Sequence, residues 1–460
     1  MSDWTICVDF GTAFSKAAAA PAGAWSRFDP ALVRPLMLSG HDPHANAFLL
    51  DSAVFVDDDR LLFGRAAIAR AAELNDKKRV VLRSFKTLLS VSDLDRALNT
   101  NAATSIDPHR VFQMRDLIVL YLAYLLAAVD RAVRADPVLD GATVRWRYAA
   151  PAWRAGDSAG SHESILRLFG EAEAFRLAAG RRLMQSNGVA LSFVTDALPK
   201  ATASAQPFDM DLIFEATAAA SYLSVGLHDS AAHLIVVDMG AGTTDIAALA
   251  RQGARVTELD TARVTLKQAG DFMDTIIANR ALALAPWARG PAMQTQLWAL
   301  LMRQMRDIKE SLFADGRAVL RYDSRALTII MNDIERDTDF RDFLRALSKA
   351  YDESLDIVRD DAVARKRSEI DAVAVGGGAV APFIQALIRH KPKRGRVRVT
   401  ARNATPKWAH DEAFQGNLAP VFPQLAIAIG GALAPDGMAA TAMGASRPAN
   451  DRSDTRAERD

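Results

Sequence analysis

A single cysteine in 460 residues excludes an internal disulfide, so packing and hydrogen bonding must hold this chain together. That cysteine, Cys7, lies in the apolar run Thr5-Ile6-Cys7-Val8, which predicts a buried, reduced thiol and fits the cytoplasm. A surplus of one charge is also missing. With 56 Lys and Arg against 55 Asp and Glu, the chain is neither a disordered polyelectrolyte nor a broad nucleic-acid surface. Long apolar runs are absent as well. The best candidate, residues Leu117 to Val129, is flanked by Arg115, Asp116, Asp130 and Arg131 and is shorter than the roughly 20 residues a spanning helix needs. It predicts a buried helix. The opening Met-Ser-Asp-Trp lacks the basic and apolar segments of a secretory signal, so the expectation is a cytoplasmic protein without a membrane partner. His41 and His44 have no third ligand nearby and suggest a polar turn. The basic run from Lys391 to Arg398 lacks interleaved aromatics, which favours a solvated loop or edge strand over a nucleic-acid contact.

What is present is ample apolar material, half of all residues, in a chain long enough for two lobes. Three apolar runs end in polar or glycine-rich turns: Ile6-Cys7-Val8-Asp9, Leu234-Ile235-Val236-Val237-Asp238 and Ala372-Val373-Ala374-Val375-Gly376. Each reads as a buried strand meeting a tight loop. Apolar residues recurring at three and four positions predict helices over 111–134, 163–183, 268–285, 292–313 and 339–366. Strands alternating with helices imply an α/β architecture. The stretch from Pro199 to Pro207 reads as an exposed loop, and 437–460, which lacks period and large apolar residues, as disordered.

The first two punctuation points use one device twice, Asp9-Phe10-Gly11-Thr12-Ala13-Phe14-Ser15-Lys16 and Asp238-Met239-Gly240-Ala241-Gly242-Thr243-Thr244-Asp245. After the second, Ile246 to Ala250 is short and turn-bounded, so strand, turn, strand is favoured over strand, turn, helix. Glycine lets backbone amides approach a ligand closely, and successive N–H groups in a turn form a cradle for phosphate. Thr12 and Thr243 add hydroxyls. Asp9 and Asp238 would repel phosphate unless a cation intervened, and hydrated Mg²⁺ needs only one or two carboxylates. A third glycine loop, Gly376-Gly377-Gly378, completes the set.

These three segments resemble, in order, the phosphate-one, phosphate-two and adenosine motifs of the actin, sugar-kinase and heat-shock ATPase superfamily. Glu215-Ala216-Thr217-Ala218-Ala219-Ala220, Gly270-Asp271-Phe272-Met273-Asp274 and Phe85-Lys86-Thr87-Leu88-Leu89 are similar to further segments of the DnaK-type heat-shock ATPases. The resemblance implies a two-lobed actin-like ATPase fold with duplicated ribonuclease-H-like lobes and nucleotide in the central cleft. Lobe I would be 1–228 and lobe II 229–436, with a final helix at about 420–436 packing back on lobe I. It also implies ATP or ADP with Mg²⁺ as cofactors and a separate, unidentified protein partner. No leucine-rich linker or β-rich client domain is recognisable after Leu433.

Carried over residue by residue, Asp9 and Asp238 would hold Mg²⁺ through its waters, and Asp238 would thereby also serve catalysis. Gly11, Thr12, Ala13, Gly240, Ala241 and Gly242 would cradle phosphate. Thr243 would meet the γ-phosphate. Lys86 would orient the attacking water, Glu215 would complete the water network, and Lys309 with Gly376, Gly377 and Gly378 would meet adenosine. On their residues alone, Lys86 also reads as a surface lysine, Glu215 as a helix N-terminal carboxylate, and Lys309 as part of a solvated ion-pair stripe with Arg306 and Glu310. The chain departs from the family at Ala13, Ala216, Ala241 and Glu310, where threonine, proline, glycine and arginine are usual. Ala241 would constrain the turn if that position needed positive φ. A small-molecule or sugar kinase and a filament-forming ATPase share the fold and are the alternative functions.

Overall fold

The computed structural model describes residues 4–24, 28–40, 46–74, 76, 78–83, 85–89, 93–151, 158–224, 233–252, 255–322, 325–390, 397–410, 418–435 and 447–448. The architecture is mixed α/β with several sheets. The chain divides into two compact units, one comprising Met1–Ser230, Leu249–Asp260 and Ala404–Ser446, the other Ala231–Ala248, Thr261–Asn403 and Arg447–Asp460.

In the first unit the strand Trp4–Phe10 lies between Phe14–Pro21, antiparallel to it, and Val144–Ala150, parallel to it, with Met210–Phe214 parallel beyond. Successive side chains of a strand point to opposite faces. Trp4, Ile6, Val8 and Phe10 therefore enter the main core with the helices Met114–Ala135 and Ser158–Ala179. Cys7 on the other face meets the helix Phe422–Leu433, where a Cβ on Gly431 would stand 2.3 Å from its Sγ. With both faces covered, every residue of this strand is buried. Burial pushes the Cys7 thiol up to about 12, which keeps it protonated. Arg147 Nη1 donates to the carbonyls of Gly431 at 2.6 Å and Ala434 at 2.9 Å, filling acceptors that a helix C-terminus leaves open.

The sheet of the second unit has its central strands in the order Arg398–Arg402, Glu369–Val375, His233–Met239, Thr244–Gln252, Val264–Leu266, of which residues 244–248 of Thr244–Gln252 belong to that unit. His233–Met239 is parallel to Glu369–Val375, pairing Asp238 with Val375. The helix Gly270–Ala283 packs on Pro291–Asp315 and on Thr338–Ala364, and Thr338–Ala364 packs on this sheet. The last of these helices buries Phe340, Phe343, Leu347, Ala350, Tyr351, Ser354, Leu355, Val358 and Ala362, a stripe with the helical period. Asp337 caps it by accepting from the backbone N–H groups of Asp339 and Phe340.

One expectation is corrected. The supposed loop from Pro199 belongs, as far as Ser204, to the helix Leu191–Ser204, which buries Val194, Ala197, Leu198 and Ala201. That apolar stripe offsets the roughly 3 kcal/mol an interior proline costs by its missing N–H and its clash. Within the 437–460 tail, Arg447–Pro448 pair in parallel with Val264–Thr265, because an edge strand presents unpaired backbone groups to any short partner. The rest of that tail, His41 to His44, and residues 391–396 of the basic run lie outside the described residues. Among the described residues, no helix is long and apolar enough to cross a membrane.

Gly430 supports a close helix contact: a Cβ there would stand 1.8 Å from the carbonyl oxygen of Ala218, in the helix Glu215–Ser224. Overpacking costs about 1–3 kcal/mol, and a backbone obstacle puts this case at the upper end. Alanine recovers about 1 kcal/mol of helix propensity. Gly430→Ala is therefore expected to lose about 2 kcal/mol net in urea unfolding. A variant as stable as the parent would show that the helices can separate at little cost.

Candidate functional site

The turn Gly11–Ala13 joins Trp4–Phe10 to Phe14–Pro21, and the antiparallel register sets Asp9 opposite Lys16. Lys16 Nζ lies 2.8 Å from Asp9 Oδ2, with the Asp9 side chain only 1% exposed. A buried carboxylate needs a partner, and Lys16 provides it. The other oxygen, Asp9 Oδ1, is buried without a hydrogen-bond partner among the described residues. Gly11 is required sterically, since a Cβ would stand 2.3 Å from the carbonyl oxygen of Phe14. Thr12 is half-buried and Ala13 exposed. Among the described residues no protein group accepts from the backbone N–H of Gly11, Thr12 or Ala13.

Lys86 sits on the short helix Phe85–Leu89, which is held by Phe85 against Phe10 and Tyr121 at centroid distances of 6.0 and 5.1 Å. Glu215 opens the helix Glu215–Ser224 directly after the strand Met210–Phe214, where the helix dipole favours a carboxylate. Lys86 Nζ forms an ion pair with Glu215 Oε1, both side chains largely buried. These two residues, far apart in sequence, therefore meet. Tyr148 stands between Val8 and Leu212 on neighbouring strands and is fully buried, its hydroxyl without a partner among the described residues. Burial pushes its phenol up, and the charged side chains acting on it include Lys86, Glu215 and Asp9.

In the second unit, Asp238 is buried one residue before the end of His233–Met239. The turn closes with Gly240 N–H donating to Thr243 O at 3.0 Å. The Thr243 hydroxyl donates to Asp245 Oδ2 at 2.9 Å, so its proton is engaged and its backbone amide is what remains for an anion. Among the described residues, the N–H groups of Ala241, Gly242 and Thr243 have no protein acceptor. Ala241 is not in positive φ, so alanine fits where a glycine is usual.

The Gly270–Asp274 segment meets this turn directly. Gly270 N–H donates to Gly240 O at 3.2 Å and Asp271 N–H to Ala241 O at 2.8 Å. Lys309 Nζ lies 2.6 Å from Asp274 Oδ1, whereas Arg306 and Glu310 pair with each other. Lys309 is thus turned toward the helix Gly270–Ala283, away from a solvated stripe. Burial holds the Asp274 carboxyl above its ordinary range, with Lys309 working against that shift. The third glycine loop packs on the strand end. Gly376 has φ +84°, and a Cβ there would stand 2.3 Å from Asp238 Oδ1; Gly378 N–H donates to Met239 O at 2.9 Å. Gly377 borders open space.

In the first unit the structure pairs Lys86 with Glu215 and sets Asp9 beside the turn Gly11, Thr12 and Ala13, with Asp9, Lys86 and Glu215 all acting on the buried Tyr148. It assembles Asp238, Gly240, Ala241, Gly242, Thr243, Gly376, Gly377, Gly378 and, through Asp274, Lys309 in the second. Sequence reasoning missed Lys16 and Tyr148. Lys16 could have been found, because a three-residue turn after Phe10 places it across from Asp9. Tyr148 could not, since its neighbours come from distant strands. Among the described residues no group of three or more His, Cys, Asp or Glu side chains stands ready to hold a metal directly. No protein-family model matches the chain, and no curated protein matches it.

The Asp9–Lys16 pair carries a stability prediction. Removing one partner of a buried ion pair costs about 3–5 kcal/mol, because the other charge is left buried alone. Lys16→Met is expected to lose about 3 kcal/mol in urea unfolding, and Asp9→Asn in the same chain to restore most of it. Additive losses in the double variant would show that the two side chains do not interact.

Proposed function

We propose that the chain is a Mg²⁺-dependent ATP-binding protein of the two-lobed actin-like fold, similar to the ATPase half of DnaK-type heat-shock chaperones. In this proposal it hydrolyses ATP slowly and acts as a switch read by a separate protein partner. The observation that carries the reading is the repeated turn. Each unit holds a strand, a tight glycine turn whose three successive N–H groups have no protein acceptor among the described residues, and the start of a second strand, with a buried aspartate at the approach. Unsatisfied amides grouped in this way favour a multiply charged anion such as phosphate.

The side chains around the turns fit that ligand. Lys16 and Lys86 supply positive charge in the first unit, and Glu215 holds Lys86 in place. In phosphoryl transfer most catalysis is positioning and charge stabilisation, which is work a buried, paired lysine can do. Lys86 would orient the attacking water and stabilise charge on the γ-phosphoryl oxygens, while the backbone amides of the turns hold the ground state. Asp9, and Asp238 at the matching place of the second unit's turn, are each carboxylates suited to meet hydrated Mg²⁺, and Asp9 Oδ1, without a hydrogen-bond partner among the described residues, is the hard oxygen acceptor such waters need. When bound, Mg²⁺ neutralises phosphate charge.

The test is calorimetric and kinetic. Mg²⁺ with ATP or ADP is expected to raise the thermal midpoint, since a ligand at about 100 times its Kd stabilises the native state by about 2.7 kcal/mol. Lys86→Ala is expected to slow single-turnover hydrolysis on the order of a hundredfold while Kd for ATP changes less than about tenfold. An unchanged midpoint at millimolar nucleotide would remove the proposal. Hydrolysis at the parent rate in Lys86→Ala would remove the catalytic role of Lys86 alone.

A further inference from the structure

A closed set of buried hydroxyls lies behind the turn Gly11–Ala13. Ser15, Ser52 and Tyr121 are at most 1% exposed. Ser52 N–H donates to Ala13 O at 3.0 Å, and Ser52 Oγ donates to Gly11 O at 2.7 Å. One serine thus holds the carbonyls on both sides of Thr12. In a planar trans peptide the C=O and the following N–H point in opposite directions. Drawing the Gly11 carbonyl toward Ser52 therefore turns the Thr12 N–H away from it.

The proton count fixes the part Ser52 plays in the network. Ser52 has one hydroxyl proton, committed to Gly11 O, so its oxygen acts toward its neighbours as an acceptor. Ser15 Oγ stands 3.1 Å from Ser52 Oγ and 2.9 Å from the Tyr121 hydroxyl. Tyr121 in turn reaches Ser52 Oγ at 3.3 Å and Asp51 O at 3.2 Å. Burial pushes the Tyr121 phenol up, so it remains a donor throughout the physiological range. Its ring stacks on Phe10 at 5.3 Å and on Phe85 at 5.1 Å. Phe85 immediately precedes Lys86 on the helix Phe85–Leu89.

We infer that Ser52 and Tyr121 are positioning residues: Ser52 aims the amides of Gly11–Ala13, and Tyr121 ties that turn to the helix carrying Lys86. The inference rests on the function proposed above for what the turn and Lys86 act upon. The two roles separate by mutation. Ser52 governs the turn and so nucleotide affinity; Tyr121 governs the placement of Lys86 and so the rate.

The experiment combines hydrogen exchange of nucleotide-free protein with ADP affinity and single-turnover hydrolysis, for the parent, Ser52→Ala, Ser52→Thr and Tyr121→Phe. Ser52→Ala is expected to speed exchange across residues 9–16 about tenfold and weaken MgADP binding about tenfold, as one lost hydrogen bond would. Ser52→Thr keeps the hydroxyl and is expected to restore both. Tyr121→Phe keeps the stacked ring but releases it from Ser15, Ser52 and Asp51, so the Lys86 helix loses its anchor while Ser52 still holds the turn; affinity is expected to stay within about twofold while hydrolysis falls about tenfold. Unchanged exchange in Ser52→Ala overturns the role of Ser52. Equal losses of affinity and rate in Tyr121→Phe overturn the role of Tyr121. A parent that binds no nucleotide overturns the proposed function, and the exchange data then decide the Ser52 brace by themselves.

Discussion

A carboxylate with almost no solvent exposure, Asp9, ends a strand that is buried on both faces, and its ion pair with Lys16 is what makes that arrangement tolerable. Burying an unpaired charge costs several kcal/mol, comparable with the whole stability of a domain. The antiparallel hairpin solves this locally, because its register puts the ammonium opposite the carboxylate. The turn between them must then be tight, which is why position 11 has no Cβ. Among the described residues, the remaining carboxylate oxygen and the turn's three N–H groups have no protein partner.

The second unit keeps the same device but supports it differently. There the turn is stitched to the N-terminus of Gly270–Ala283, two of whose N–H groups donate to Gly240 and Ala241. A helix N-terminus has donors to spare, so this contact satisfies both partners. Gly376 approaches so closely that its missing side chain makes room for Asp238. In one unit a charge pair and a serine hold the turn; in the other, backbone bonds and glycines do. The difference lies in the surroundings, since both turns begin from a buried strand that ends one residue after an aspartate.

Small residues do similar work on the far side of the first sheet. Gly430 and Gly431 let the helix Phe422–Leu433 lie directly on Ala218 and Cys7, and Arg147 then fills the open carbonyls at its end. The strand carrying Asp9 and the helix opened by Glu215 are thereby held by one element. Lys86 is placed from the opposite face through the stack of Phe85 on Phe10 and Tyr121. The residues around the turn Gly11–Ala13 are thus braced on both sides of the sheet.

The sequence by itself determined the local elements: apolar runs ending in glycine became strands and turns, and stripes of helical period became helices such as Thr338–Ala364. These signals are readable because strand and helix periods depend on neighbouring residues only. Even so, Pro199 misled, since local propensity marks it as a break while burial of Val194, Ala197, Leu198 and Ala201 keeps it in a helix. Only the tertiary structure decided which side chains meet. That Lys86 pairs with Glu215, that Lys309 turns to Asp274, and that Ser52 holds Gly11 all depend on contacts between distant segments. A single sequence carries no record of such contacts, because burial and pairing are properties of the packed chain and are fixed only when sheets and helices close on one another.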